Sequence, residues 1–174
     1  MIKSLIQKKS PQGSLRFRFY QILKELLSPF RPLNIQYQKW IKKVDPLNNV
    51  STKAIDQEIE NFPHSPLISV IMPVYNPKLE HFRQAVISVQ KQFYENWELC
   101  IADDASDNPM VRKEIIRFSE QDHRIKYIFR EKNGHISAAS NSALSLAGGD
   151  YIALLDHDDK LHPLALFYVA KNII

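Results

Sequence analysis

The run "LISVIMPVY" at 67–75 most constrains the fold, because it is apolar and β-branched without any period-2 alternation. Such a run reads as a strand buried on both faces. A strand of that kind needs sheet neighbours and helices above and below it, which a hairpin or a one-sided sheet does not supply. The residues that follow have the matching pattern. "PKLEHFRQAVISVQKQF" carries apolar residues at 79, 82, 86, 89 and 93, a helical spacing. Then come a strand, "WELCIAD", a helix, "NPMVRKEIIRFSEQ", a strand, "IKYIFR", a small-residue helix, "HISAASNSALSLA", and a strand, "YIALLD". Pro163 suits the first turn of a last helix, "PLALFYVAKNII". The order β-α-β-α-β-α-β predicts an α/β fold, with a mainly parallel sheet, right-handed crossovers and helices on both faces.

The front of the chain is different. Residues 1–62 hold eleven Lys/Arg against five Asp/Glu, a net +6, and residues 63–174 hold twelve against fourteen, a net −2. "SLRFRFYQILKELLSPF" has a helical apolar stripe at 15, 19, 22, 23, 26 and 27, and shorter helices are expected in "NIQYQKWIKKV" and "STKAIDQEIENF". We therefore expect a basic helical extension over 1–65 and an α/β domain over 66–174. Phe17, Phe19, Tyr37 and Trp40 interleave with the basic residues of 1–62, a pattern suited to peripheral contact with an anionic membrane, although a solvated helical extension packed on the main domain is the favoured reading. Nothing matches a nucleic-acid reading module. The longest apolar stretch falls short of the ~20 residues of a membrane-spanning helix, and the lysines of "MIKSLIQKKSPQGS" do not fit a secretory signal. One cysteine, Cys100, excludes an internal disulfide framework and reads as an inert core thiol. A cytoplasmic protein is expected, with the inner membrane face as a further location.

In an open parallel sheet ligands gather beyond the carboxyl ends of the strands. The first strand delivers Pro73, Tyr75 and Asn76 there, and the second Asp103, Asp104, Ser106 and Asp107. The third leads to Arg130, Lys132, Asn133 and Gly134, and the fourth to Asp156, Asp158 and Asp159. Single clusters of this kind are ordinary turns. Two acidic clusters at one edge indicate a site. With four glycines in the chain, no dinucleotide fingerprint or phosphate-cradling loop is present, so carboxylates facing a diphosphate require a divalent cation between them. Oxygen ligands suit Mg²⁺ or Mn²⁺. If the segment is extended, Asp156 and Asp158 share one side and His157 points away. His135, His157 and His162 fit no zinc spacing and read as loop histidines.

"ISVIMPVYN", "CIADDASDN", "NGHISAASNSALSLAGG" and "YIALLDHDD", in that order, resemble the opening strand, the DDGS-type turn, the N-x-G helix and the DxD strand of the family-two glycosyltransferases. The resemblance covers 67–174 and implies the nucleotide-binding half of a Rossmann-like GT-A fold. It also implies an inverting, metal-dependent transfer of sugar from a UDP-, GDP- or dTDP-sugar to a glycan or lipid-linked acceptor in polysaccharide synthesis. By the same resemblance Pro73, Tyr75 and Asn76 lie at the nucleotide, Tyr75 offering its ring to the base. Asp104 accepts a hydrogen bond from the base, and Asp103 supports the turn or the ribose. Asp156 meets the ribose or the metal and its water, Asp158 ligates the metal, and Asp159 lies outside the coordination shell. Asn133 and Gly134 shape the loop.

Two departures qualify the resemblance. Ser140 stands where many members carry an arginine, removing a cation near the donor. The family's acceptor site and general base follow the DxD strand at a distance, and only sixteen residues follow Asp158 here. An inverting transfer needs a base to deprotonate the acceptor hydroxyl. A truncated chain with an uncovered apolar sheet edge is expected, and donor binding without catalysis, or an assembly role, is the alternative. A phosphoryl-accepting receiver domain fits less well, because it needs a Ser/Thr and a Lys on later strands.

Overall fold

The computed structural model describes residues 51–174 together with Tyr37, Lys39 and 41–43. Those last five are helical, as expected of "NIQYQKWIKKV"; the helix expected over 14–30 lies outside the described residues. The chain divides into two compact units, Met1–Ser51 and Thr52–Ile174. In the second unit the order is α1 (Thr52–Glu60), β1 (Ile68–Val74), α2 (Leu79–Gln90), β2 (Trp97–Asp103), α3 (Pro109–Gln121), β3 (Ile125–Phe129), α4 (His135–Leu144), β4 (Tyr151–Leu154) and α5 (Ala165–Ile173).

The boundary expected at 65/66 is therefore displaced to 51/52. The charge shift that suggested it follows composition, whereas α1 joins the α/β unit by packing. Ile55 is buried, Glu58 pairs with Lys171 of α5, and the Phe62 ring stacks on Phe167 at 6.1 Å.

The four strands form one parallel sheet in the order β3-β2-β1-β4. Every residue of β2 is buried, Glu98 and Asp103 included, and every residue of β1 except the half-buried Pro73, as central strands covered on both faces require. On one face α4 lies against β1 and β2, where Ala143 meets Ile71, Cys100 and Ala102. Small side chains let the helix approach closely. Burial pushes the Cys100 thiol up to about 11, so it is inert at neutral pH. In the α2–α3 layer Phe82 and Phe118 meet edge to face at 6.1 Å, and α3 also lies against β3.

β1 and β4 separate early, and this opens the site. Their pairing ends at Ile71↔Leu154, after which Leu155 N–H donates to Ile71 O at 3.1 Å. Backbone groups two residues apart on a strand point the same way, so Pro73 faces the side that β4 has left. Its missing N–H therefore costs no ladder bond, and its carbonyl remains available. Because β2 and β3 run outward on one side of β1 and β4 lies on the other, this gap is the topological switch point of the sheet.

β4 stops at Leu154, two residues before its expected end. It lies at the sheet edge and leaves Tyr151 40%, Ile152 46% and Leu154 77% exposed, so apolar side chains of both its faces meet solvent. Pro163 falls just ahead of Leu164, the residue that caps α5, instead of inside the helix. Beyond the gap the chain is pinned back to α2: Gln92 Nε2 donates to His162 O at 2.8 Å, and Gln92 Oε1 accepts Leu166 N–H at 2.9 Å.

Candidate functional site

Three non-glycine residues among those described stand in the left-handed region, one after each of β1, β2 and β3: Asn76 at φ 45°, Ala105 at φ 61° and His135, the first residue of α4, at φ 64°. Ala105 has no side-chain oxygen to stabilise that conformation, so the turn after Asp104 is held from outside. All three stand at the carboxyl edge of the sheet.

Asn76 ties two of these loops together. Its Nδ2 donates to Asp107 Oδ2 at 2.8 Å, its Oδ1 accepts Asp107 N–H at 2.9 Å, and its own N–H donates to Ser106 Oγ at 2.9 Å. Asp103 is likewise internal. It is fully buried, its Oδ1 accepts Ser106 N–H at 3.3 Å, and Oδ2 makes no hydrogen bond but has Arg112 Nε at 3.5 Å. Of its two expected roles, this geometry matches support of the turn.

Asp104 sits on the floor of a cleft of about 470 Å³. Its backbone N–H donates to Val74 O at 2.8 Å, locking the end of β2 to the end of β1. The residue is 1% exposed, and a carboxylate buried in this way demands partners. Arg130 Nε supplies one at 2.7 Å, and Gly134 N–H donates to both oxygens at 3.0 and 3.1 Å. Arg130 was legible as a residue of this edge but not as the partner of Asp104. Ser140 leaves no cation on α4, and the charge beside Asp104 comes from β3 instead.

Asp156 and Asp158 line the same cleft, as do Pro73 and Tyr75. They are not in an extended segment: Asp159 N–H donates to Asp156 O at 3.2 Å, closing a turn over 156–159. The expectation that His157 points away is therefore corrected. His157 also lines the cleft, and its Nδ1 lies 3.3 Å from Pro73 O, the carbonyl freed where β4 leaves β1. Asn133, His135, Ile136 and Ala139 line the remaining wall, so Asn133 reaches the cleft and Gly134 serves it through Asp104. Asn76 and Asp103 are absent from the lining.

Among the described residues no group of three or more His, Cys, Asp or Glu could by itself hold a metal ion. Asp156 and Asp158 offer two exposed carboxylates without any hydrogen-bond or ion-pair partner among the described residues. A donor set of that kind fits a cation that takes its other ligands from water and phosphate, as Mg²⁺ and Mn²⁺ do. It does not fit an all-protein cage. No helix among the described residues is long and apolar enough to cross a membrane.

Comparison with known proteins adds a second line of information. The model of the family "Glycosyl transferase family 2" matches residues 69–173. The uncharacterized protein y4gI of Sinorhizobium fredii is 48% identical over 119 residues, covering 68% of this chain and 13% of that protein. The UDP-Glc:alpha-D-GlcNAc-diphosphoundecaprenol beta-1,3-glucosyltransferase WfgD of Escherichia coli is 47% identical over 95 residues, covering 53% of this chain and 35% of that protein. Residues 1–349 of Staphylococcus aureus TarS, solved in complex with UDP-GlcNAc, superpose with a TM-score of 0.55 at 27% identity. That match covers 61% of this chain and 30% of the TarS chain. The chain thus spans 13% and 35% of the lengths of these curated relatives.

Proposed function

As the chain belongs to glycosyl transferase family 2, we propose that its cleft binds the nucleotide diphosphate of a sugar donor for transfer of the sugar, with inversion, to a glycan or lipid-linked acceptor in polysaccharide synthesis. The observation that carries this reading is that Asp104 and Asp158, from the ends of β2 and β4, line one cleft at the switch point of a parallel sheet. The exposed Tyr75 ring offers the nucleobase a face, and Asp104 accepts its N–H. Asp156 reaches the ribose or a metal-bound water, and Asp158, with Asp156, holds Mg²⁺ or Mn²⁺. A cation bound there neutralises charge that builds on the departing diphosphate. TarS supports the donor class through its UDP-GlcNAc complex, and WfgD supports the acceptor class through its diphosphoundecaprenol substrate.

Titration of the chain with UDP and with GDP, each with Mn²⁺, tests the proposal. In Asp158→Ala the affinity should fall at least about tenfold, a loss of about 1.4 kcal/mol. Asp158 is exposed and unpartnered, so the variant should melt within a degree or two of the parent, slightly higher if relief of repulsion from Asp156 is felt. Equal nucleotide affinity in variant and parent would refute the assignment. A second reading, donor binding without transfer, draws on the carboxylates that line the cleft. They are Asp104, Asp156 and Asp158; the first is held by Arg130 and the other two are assigned above to the ribose and the cation, which leaves none for the acceptor base. Incubation with a nucleotide-sugar and a glycan or lipid-linked acceptor separates the two readings, since only an active chain then releases nucleotide diphosphate.

A further inference from the structure

Arg130 lies 26 residues from Asp104 in sequence and makes contacts in two directions. Its Nε donates to Asp104 Oδ1 at 2.7 Å, and its Nη1 donates to Ala138 O at 3.2 Å and Ser142 Oγ at 2.6 Å, both on α4. One planar guanidinium thus joins the end of β3, the turn after β2 and two successive turns of α4. Gly134 makes the space for it. A Cβ at 134 would stand 2.5 Å from Arg130 Nη2 and 2.9 Å from Ala138 Cβ, and a methyl group there would displace the clamp.

The clamp also decides which lone pairs of Asp104 stay available. A carboxylate has about four acceptor positions. Oδ1 is used by Arg130 and Gly134, whereas Oδ2 has only its share of the Gly134 N–H, at 3.1 Å. We propose that Arg130 is a positioning residue for nucleobase recognition: it engages Oδ1, fixes α4 against the end of β3, and leaves Oδ2 of Asp104 as a fixed acceptor for an N–H of the base. The inference rests on the donor-binding reading above and deepens it. Arg130 itself does not line the cleft, so it acts through Asp104.

The test compares ligands with and without a base. The full chain and its variants are titrated by calorimetry with UDP, GDP and inorganic pyrophosphate, all with Mn²⁺. Arg130→Gln should weaken the better-binding nucleotide at least about tenfold, as loss of a hydrogen bond to a buried charge implies, and leave pyrophosphate within about twofold. Arg130→Lys keeps the charge but not the planar fork, and its nucleotide affinity should fall between the two. Unchanged nucleotide affinity in Arg130→Gln overturns the inference. So do equal losses for nucleotide and pyrophosphate, because a purely structural clamp weakens both. If Arg130→Gln does not fold, the same comparison in Arg130→Lys decides. If the parent binds neither nucleotide, the donor-binding reading fails first and this inference with it. A parent that binds nucleotide beside an indifferent variant refutes only the role of Arg130.

Discussion

Two adjacent glycines, Gly148 and Gly149, lead into β4, and the structure predicts opposite responses to the same substitution. A Cβ at 149 would stand 2.6 Å from Leu67 O, 2.6 Å from Ser69 Oγ and 3.0 Å from Ser69 N. Two of these atoms are backbone of the segment that opens β1. They cannot yield without disturbing Asp150 N–H donating to Leu67 O at 2.8 Å and Gly149 N–H donating to Ser69 Oγ at 3.0 Å. Steric overlap of about 1–3 kcal/mol and one weakened hydrogen bond of about 1 kcal/mol give Gly149→Ala a cost of about 2–4 kcal/mol. For a unit of this size that lowers Tm by roughly 6–16 °C. At 148 the nearest atoms to a Cβ are Glu98 Oε1 and Lys126 Nζ, both at 3.8 Å, an ordinary contact. Gly148→Ala should therefore lie within about 0.5 kcal/mol of the parent, or stabilise it slightly by restricting the unfolded chain. Thermal melts of both variants make the comparison, and hydrogen exchange at Asp150 and Leu155 localises it to the β1–β4 seam. Because β4 carries the 156–159 turn, Gly149→Ala should also weaken nucleotide binding. Equal melting temperatures for the two alanine variants would refute the reasoning.

Two further outcomes follow from the surface. Glu114 is held down to about 2 from an ordinary 4.5, first by the Arg83 hydrogen bond at 2.8 Å and then by Arg117 at 2.7 Å, against the upward push of burial. A depressed carboxyl stabilises the fold above its unfolded value, and that stability is lost as pH falls from about 5 toward 2. Since both arginines are nearly half exposed, the effect is about 1–2 kcal/mol; Glu114→Gln should flatten the Tm profile over this window, and an unchanged slope refutes the ion pairs as its source. Leu154→Lys should leave stability within about 0.5 kcal/mol of the parent while reducing concentration-dependent association at the β4 edge. Light scattering that rises equally with concentration in both proteins would count against the edge as an association surface.

The elements of the α/β unit were legible because their signals are local. A dense apolar run marks β1, the apolar stretch Leu99–Ala102 marks β2, and helical spacing marks α2 and α3, whatever surrounds them. The carboxyl edge followed from topology, which brought Asp104 and Asp158 together without any knowledge of side-chain direction. What the pattern does not carry is partner choice across space. Asn76 reads as a residue near the ligand, yet its amide is matched donor-for-acceptor to Asp107. His157 reads as pointing away only if 156–158 is extended, and the turn at Asp159 N–H to Asp156 O reverses that. The membership of α1 was hidden for a related reason. Counting charge over 1–62 placed it with the basic front, although its own residues hold one Lys against three acids; burial of Ile55 and stacking at Phe62 join it to the α/β unit.

The four central aspartates divide into two electrostatic classes, and the division bears on where a cation binds. Asp103 and Asp104 are 0% and 1% exposed, and each has an arginine at its carboxylate, as charges removed from water require. Ligating a metal with either would mean giving up a protein cation that stabilises a buried charge, at a cost comparable to breaking a buried pair, about 3–5 kcal/mol. Asp156 and Asp158 remain hydrated at the rim, and water screens their mutual repulsion. In the proposed reading a divalent ion at the rim pair would displace solvent alone and relieve that repulsion, with no loss of protein contacts. The same asymmetry separates the experiments: Asp158→Ala should reduce the metal dependence of binding without unsettling the fold, whereas Asp104→Ala should strand Arg130 against α4 and lower stability together with nucleotide affinity.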